Sequence, residues 1–207
     1  MRKIIMFSVA IIIITMTACN SSTQNEAGNM HDRGNLDMPE QHASNSNGDN
    51  LISIKATYSD VAPEAAQSIK EILDHYLDIK NALTNEDAAA AAKGAKAMAA
   101  AMKSLDKSLL TAEQKTEYDK SAETAEGQAE AISANGNNIE QEREAFSTMS
   151  ESVYAMAKAF GAGRPLYHDH CPMYKDGSMW LSESKEIRNP YYADKMMTCG
   201  TAKEIIQ

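Results

Sequence analysis

The sequence predicts an all-α fold: an up-and-down antiparallel four-helix bundle followed by an irregular C-terminal subdomain rich in cysteine and methionine. Between residues 60 and 163, apolar side chains recur every three or four residues, which is the period of an amphipathic helix. From residue 164 to 207 this period is lost, and sulfur-containing and imidazole side chains become frequent. The length of 207 residues suits one folded domain with extensions.

The first 18 residues are predicted to be a signal peptide. Arg2 and Lys3 form a positive region, an apolar stretch follows over residues 4–15, and small residues precede Cys19. The apolar stretch is too short to span a bilayer comfortably. This arrangement resembles a bacterial lipoprotein signal, which implies that Cys19 carries the lipid. Such an anchor would hold the protein in the cell envelope, facing the periplasm or the cell surface, without crossing the membrane.

The net charge of the chain is negative, at −9. Cleavage after residue 18 would remove the positive charges of Arg2 and Lys3 and bring it from −9 to −11. This net negative charge disfavours nucleic acid and anionic lipid surfaces as binding partners, and it favours cations.

Residues 19–59 are predicted to be a flexible tether between the lipid and the folded domain. Asn, Ser, Gly, Asp and Gln dominate this stretch, and few aliphatic side chains are available to offset the entropy cost of ordering it. Near its end, Ile52, Ile54 and Ala56 alternate with polar residues, which predicts a small strand within residues 51–58.

Four helices are predicted between Pro63 and Gly161. Pro63 suits a first helical turn, and Thr111 with Gln114 has the pattern of a capping box. The breaks at 84–85, near 110–111 and at 135–137 are short, so neighbouring helices should run antiparallel. The four apolar stripes consist of Ile69, Ile72, Tyr76, Ile79 and Leu83; of Ala91, Ala95, Met98, Met102, Leu105 and Leu109; of Tyr118, Ala122, Ala125, Ala129 and Ile132; and of Phe146, Met149, Val153, Met156 and Phe160.

These helices are predicted to pack a core and not to hold a metal. A di-metal carboxylate bundle needs Glu-x-x-His pairs on two helices, whereas His75 is the single histidine between residues 63 and 161. The methionines of the stripes, such as Met98 and Met102, are therefore expected to fill gaps in the core.

The C-terminal subdomain, residues 164–207, concentrates side chains that bind soft metals. Thiolate and thioether sulfur are the ligands that select Cu(I) and similar ions, such as Ag(I), over hard cations. We therefore predict a soft-metal site with Cys171, Met173, Met196 and Cys199 as its principal ligands. The further candidate ligands are His168, His170, Met179 and Met197.

Several motifs of this subdomain carry a family resemblance. They are His170-Cys171-Pro172-Met173, Trp180-Leu181-Ser182, Ile187-Arg188-Asn189-Pro190-Tyr191, Met196 and Thr198-Cys199-Gly200. The set resembles the C-terminal motif of a family of uncharacterised bacterial envelope lipoproteins, common in Bacteroidetes, and this motif recurs in CusB-type heavy-metal efflux adaptors. The resemblance extends back to about residue 51 and implies a heavy-metal efflux adaptor or pump as partner. The family pattern has a glycine near Ala193, which this chain lacks.

The sequence leaves the oxidation state of Cys171 and Cys199 open. An exported protein with two cysteines besides a lipidated one can form one disulfide, and closing a loop of about 29 residues contributes roughly 3 to 4 kcal/mol in the chain-entropy model. Ligation of one metal and a disulfide both require the two cysteines to be neighbours. Asn189 and Pro190 favour a turn that would fold the Cys199 segment back toward Cys171.

Two functions follow from these alternatives. The first is an envelope lipoprotein that binds Cu(I) or Ag(I) through its C-terminal Cys/Met site, for buffering or for transfer to efflux machinery. The alternative is a structural or interaction module that binds no metal and docks on an efflux adaptor through a disulfide-stapled subdomain. An enzyme and an organic cofactor are not expected, because the sequence has no nucleophile elbow, phosphate-binding glycine loop or hydrolase-type His/Glu pattern.

Overall fold

The computed structural model of the protein describes residues 51–136 and 138–207. The predicted signal peptide, the predicted lipidation site Cys19 and residues 19–50 of the predicted tether lie outside these ranges. None of the helices within the described ranges is long and apolar enough to cross a membrane.

Four α-helices make up most of the described chain, which confirms the prediction of a mainly helical fold. They are α1 (Pro63–Thr84), α2 (Ala88–Ser104), α3 (Ala112–Ala134) and α4 (Ile139–Phe160). Each helix packs against the next one along the chain, and α4 also packs against α1.

The helix ends follow the predicted local signals. Pro63 is the first residue of α1, where its missing N–H costs nothing. At the start of α3, the amide of Gln114 donates to the Thr111 hydroxyl (3.2 Å), and the Gln114 side chain accepts from the Thr111 amide (3.1 Å). This reciprocal pair is the predicted capping box.

The apolar stripes form the core of the helical part, with one exception. All their members are buried except Leu109, whose side chain is 38% exposed. That part of the prediction was wrong because α2 ends at Ser104 and a short 3-10 turn, Lys107–Leu109, follows it. The helical period therefore does not extend to Leu109, and the next residue, Leu110, is buried instead.

The C-terminal subdomain is not irregular, and the fold is not all-α. Three strands of this subdomain, β2 (Leu166–Cys171), β3 (Ser178–Ser182) and β4 (Thr201–Ile206), join β1 (Ile52–Ile54) in one sheet. The order is β1-β4-β2-β3, in which β1 runs parallel to β4 and the other neighbours are antiparallel. The predicted small strand near residue 52 is thus present, and its partner lies about 150 residues further along the chain.

The sheet packs on the helices through its edge strand β3, which contacts α1 and α4. Ser147 of α4 and Ser178 of β3 share a hydrogen bond of 2.8 Å between their hydroxyls. After β1, the amides of Thr57 and Tyr58 donate to the carbonyls of Lys158 and Ala159 near the end of α4, both at 2.9 Å. Residues 51–58, assigned above to the end of the tether, therefore lie against the folded domain.

Candidate soft-metal site

Cys171 and Cys199 are neighbours, as both alternatives from the sequence require. Their Sγ atoms lie 3.3 Å apart, which is a non-bonded contact since a disulfide bond measures about 2.05 Å. Cys171 ends β2 and is fully buried, whereas Cys199 lies just before β4 and is partly exposed. We call these two residues the thiol pair.

The Cys199 segment is held in place by Asn189, a buried polar residue. Its side-chain amide donates to the Cys199 carbonyl (2.6 Å), and its backbone amide donates to the Met197 carbonyl (2.8 Å). The side-chain oxygen of Asn189 accepts from the amides of Tyr191 and Tyr192, which closes a turn around Pro190. This is the predicted turn, and it does bring the Cys199 segment back to Cys171.

A glycine next to Cys199 allows the segment to pass close to Trp180. Gly200 has φ +153°, a conformation that side chains rarely adopt, and a Cβ placed there would lie 2.8 Å from Cη2 of Trp180. Trp180 is fully buried and packs edge-on against Tyr191, with their ring centroids 5.9 Å apart. The indole is therefore a hydrophobic anchor, and its close contact with Gly200 sets the distance between the Cys199 segment and the sheet.

The turn before Met196 requires a strained backbone at Ala193. This residue is buried, has φ +45° and starts the 3-10 turn Ala193–Lys195. A left-handed conformation of this kind favours glycine, so the alanine is strained at this position.

The predicted thioether ligands lie in the two segments that carry the cysteines. Met173 follows β2 by two residues and is 59% exposed. Met196 and Met197 are partly buried in the turn before Cys199, where the Cys199 amide donates to the Met196 carbonyl (3.0 Å). Because Met173 is more exposed than either cysteine, its thioether is accessible to a metal arriving from solvent.

The predicted imidazole ligands and Met179 lie on a different face of the sheet from Cys171. Side chains alternate along a strand, so His168 and His170 of β2 point away from the Cys171 side. Met179 is directly opposite His170 in the β2–β3 register and shares its face. The structure therefore separates these three candidates from the thiol pair.

His168 is engaged in its own polar cluster. Its Nδ1 lies 3.4 Å from Oε2 of Glu204, and the Tyr154 hydroxyl donates to the same carboxylate oxygen. The rings of His168 and Tyr154 are in contact, with centroids 4.4 Å apart and planes tilted by 35°. Burial lowers the pKa of His168, and Glu204 opposes this shift.

The electrostatics of the site favour a protonated Cys199 thiol at neutral pH. Burial, together with the neighbouring Cys171, raises the pKa of the Cys199 thiol to about 11. A metal that binds there must displace protons, so its apparent affinity should rise with pH. Within the ranges described, no group of three or more His, Cys, Asp or Glu side chains is placed to hold a metal. Any further ligands of a metal on the thiol pair would therefore come from thioethers or the backbone.

One buried acid of this subdomain was not singled out by the sequence. Asp169 is fully buried two residues before Cys171, and neither of its carboxylate oxygens has a hydrogen-bond partner among the described residues. Burial raises its pKa to about 7, and the buried ammonium of Lys80 on α1 opposes the shift. An acidic residue between two histidines carries no periodic signal, so nothing in the sequence marks it as buried.

Arg143 connects this subdomain to the helices. Its guanidinium is buried and donates to the carbonyl of Pro190 (3.0 Å), which follows Asn189 in the turn. The same group also reaches the Leu83 carbonyl at the end of α1 (3.4 Å). One side chain of α4 therefore fixes the turn that positions Cys199.

Comparison with known families supports a relationship for the helical part. Residues 72–164 match the model of a family described as a protein of unknown function, DUF3347. The match runs from α1 to the residue Arg164 after α4, and it includes neither Cys171 nor Cys199. Searches of curated proteins and of solved structures found no match.

Proposed function

We propose that the chain is a non-enzymatic, lipid-anchored protein of the bacterial cell envelope that binds one soft metal ion, Cu(I) or Ag(I), at the thiol pair. It would buffer the ion or hand it to heavy-metal efflux machinery. The observation that carries the proposal is the 3.3 Å separation of the Cys171 and Cys199 sulfurs in a segment rich in methionine.

The spacing of the sulfurs suits a bridging metal. With metal–sulfur distances of about 2.3 Å and tetrahedral angles, two thiolates lie about 3.8 Å apart. The thiol pair would have to open by about 0.5 Å from its 3.3 Å separation to reach this distance. Such a shift requires only small side-chain rotations, so the backbone can keep its present position.

The composition of the site supports transfer as well as binding. Thiolates raise the affinity for soft ions, and thioethers bind them without losing a proton. Met173 is exposed two residues after Cys171, and Met196 lies in the turn that precedes Cys199. An ion could therefore pass from an exposed thioether to the thiol pair and back to a partner.

The proposal also covers the arrangement of the four helices and the location of the protein in the cell envelope. The four helices are proposed to run up and down, because each packs on its neighbour and residues 85–87 and 135–138 are short connections. The envelope location, the lipid on Cys19 and a partner of the CusB-type efflux class rest on the signal pattern and on the motifs around Cys171 and Cys199.

The alternative function is an interaction module with a Cys171–Cys199 disulfide that binds no metal and docks on an efflux adaptor. The same 3.3 Å separation supports it, because the sulfurs would have to approach by about 1.3 Å to form the bond. Counting free thiols in protein isolated from the envelope distinguishes the alternatives: two thiols besides a lipidated Cys19 favour the metal site.

A Cu(I) titration of the reduced protein against a competing Cu(I) chelator tests the proposed function. We expect about one equivalent to bind and little preference for Ca²⁺ or Mg²⁺, which require oxygen ligands. Replacing Cys171 and Cys199 by Ser should weaken binding about a hundredfold or more, because it removes both thiolates. Adding Met173→Leu and Met196→Leu should weaken it further, because Leu keeps the volume and removes the donor.

The methionines of the helices provide the matched control. Met98 and Met102 are buried in the core of the helical part. Met98→Leu and Met102→Leu should therefore leave the titration unchanged. A loss of binding in these variants, or none in the cysteine variant, would place the site away from the thiol pair and would contradict the proposal.

A further inference from the structure

The thiol pair is held in contact by the backbone on both sides. Cys171 is fixed by its pairing with Ser178 at the end of the β2–β3 ladder. Cys199 is fixed by the hydrogen bond from Asn189 to its carbonyl and by the close approach of Gly200 to Trp180. Because this scaffold does not depend on a bond or a metal between the sulfurs, it can hold the pair in more than one chemical state.

We infer that Cys171 and Cys199 form a site of reversible oxidation, and that the disulfide form releases the soft metal that the dithiol form binds. The metal part of this inference rests on the proposed function and adds its regulation. The disulfide part rests only on the 3.3 Å contact between two free thiols.

The two states exclude each other chemically. A soft metal is held by thiolates, and each thiolate sulfur that enters a disulfide loses the negative charge that binds the metal. From 3.3 Å the sulfurs must open by about 0.5 Å to hold a metal or close by about 1.3 Å to form the bond. Both movements are small, so the same backbone can hold either the metal-bound pair or the disulfide. The two states cannot be present at the same time.

The different exposure of the two cysteines sets the order of the oxidation step. Cys199 is partly exposed and Cys171 is fully buried. With a low-molecular-weight disulfide as oxidant, the Cys199 thiolate attacks one sulfur of the oxidant, forms a mixed disulfide and displaces one thiol. The Cys171 thiolate then attacks the Cys199 sulfur and displaces the second thiol.

Electrons and protons balance in this exchange. The two cysteines lose two electrons and two protons, and the oxidant takes up both and leaves as two small thiols. When a metal occupies the pair, solvent supplies the two protons and the metal leaves as the free ion. An excess of a small thiol reverses the sequence and restores the dithiol.

Silver binding before and after oxidation tests the inference. The full chain carrying Cys19→Ala, purified in detergent, contains only Cys171 and Cys199 as thiols. Oxidised glutathione serves as the oxidant, Ag(I) as the probe, and elemental analysis after gel filtration as the readout. We expect the oxidised chain to lose two free thiols and two mass units, and its Ag(I) affinity to fall at least tenfold. Dithiothreitol, removed before the measurement, should restore binding.

The double variant Cys171→Ser with Cys199→Ser is the matched control, and its residual Ag(I) binding should not respond to the oxidant. Unchanged Ag(I) binding in a chain with a complete disulfide would overturn the inference and leave the proposed function standing. Accumulation of glutathione on Cys199 without an internal disulfide would overturn it as well. If the disulfide forms but the reduced chain binds no Ag(I), the proposed function fails, and the metal release fails with it.

Discussion

The hydroxyl of Tyr76 on α1 accepts a hydrogen bond from the backbone amide of Leu181 on β3, at 3.0 Å. The same hydroxyl lies 2.8 Å from the Ser150 hydroxyl on α4, so one buried side chain connects two helices and the edge of the sheet. An edge strand with free amides invites pairing with other chains, and this contact satisfies one of those amides internally. The C-terminal subdomain is thereby fixed to the helical part.

Replacing Tyr76 by Phe should therefore destabilise the protein by about 2 kcal/mol, because the Leu181 amide would lose its buried acceptor while the ring packing on Phe146 is kept. Urea unfolding measures the loss. Tyr192→Phe is the control, because its hydroxyl donates to the Met173 carbonyl at an exposed position. Its effect should stay below about 0.5 kcal/mol, and equal effects of the two variants would contradict this account.

Replacing Arg143 by Met should cost about 3 kcal/mol, because the carbonyls of Pro190 and Leu83 lose a charged donor. Hydrogen exchange should also show that this substitution accelerates the opening of the Asn189 turn more than it accelerates the opening of the centre of α3. Arg188→Met is the control, since Arg188 is exposed and its guanidinium donates to the exposed Asn85 side chain at 3.4 Å. A uniform loss of protection over the whole chain would argue against a specific role for Arg143 in the turn.

Two glycine substitutions should have opposite effects. Gly200→Ala places a Cβ 2.8 Å from the buried Trp180 ring at φ +153°, so we expect a loss of about 3 kcal/mol and a changed fluorescence of the single tryptophan. Gly127→Ala lies on α3, where a Cβ meets nothing within 4 Å. It should stabilise the protein by about 0.5–1 kcal/mol through helix propensity. Stabilisation by Gly200→Ala would show that Trp180 does not restrict the Cys199 segment.

Glu142 should make the stability depend on pH. It is fully buried in the first turn of α4, and neither carboxylate oxygen has a partner among the described residues. Burial raises its pKa from the ordinary 4.5 to about 7, Arg143 opposes the shift and Asp87 adds to it. The pKa of Glu142 is higher in the folded state than in the unfolded state. The stabilisation that Glu142 contributes is therefore complete below pH 4.5 and is lost as the pH rises through about 7.

Glu142→Gln should therefore stabilise the protein at pH 8 by about 1–3 kcal/mol and have little effect at pH 4.5. Thermal unfolding at several pH values measures the difference. Glu151→Gln, on the exposed side of the same helix, is the control and should change neither value. A destabilised Glu142→Gln variant at pH 8 would mean that the buried carboxylate has a partner in solution.

The helices could be predicted from the sequence because their signals are local. The stripe from Ile69 to Leu83 and the capping box at Thr111 depend only on residues within a few positions of each other. The sheet could not be predicted in the same way, because β4 pairs with β1 from the other end of the described chain. The β2 strand, with His168, Asp169 and His170 in succession, has no apolar alternation that indicates a strand.

The candidate site was likewise predictable only in the part that depends on local sequence signals. The contact between Cys171 and Cys199 was predictable, because cysteine count and the Asn189-Pro190 turn point to it. The separation of His168 and His170 from Cys171 depends on strand alternation, and it could not be derived while the subdomain was taken as irregular. The buried Asp169 depends on how β2 and β3 pack against the helices, which no local pattern records.

X-ray absorption spectroscopy at the copper edge, on reduced protein loaded with one equivalent of Cu(I), tests the central claim most directly. The proposed function predicts a first shell of sulfur at about 2.3 Å, and the loss of this shell when Cys171 and Cys199 are both replaced by Ser. A first shell made only of nitrogen or oxygen, or a sulfur shell that is unchanged in the cysteine variant, would contradict it.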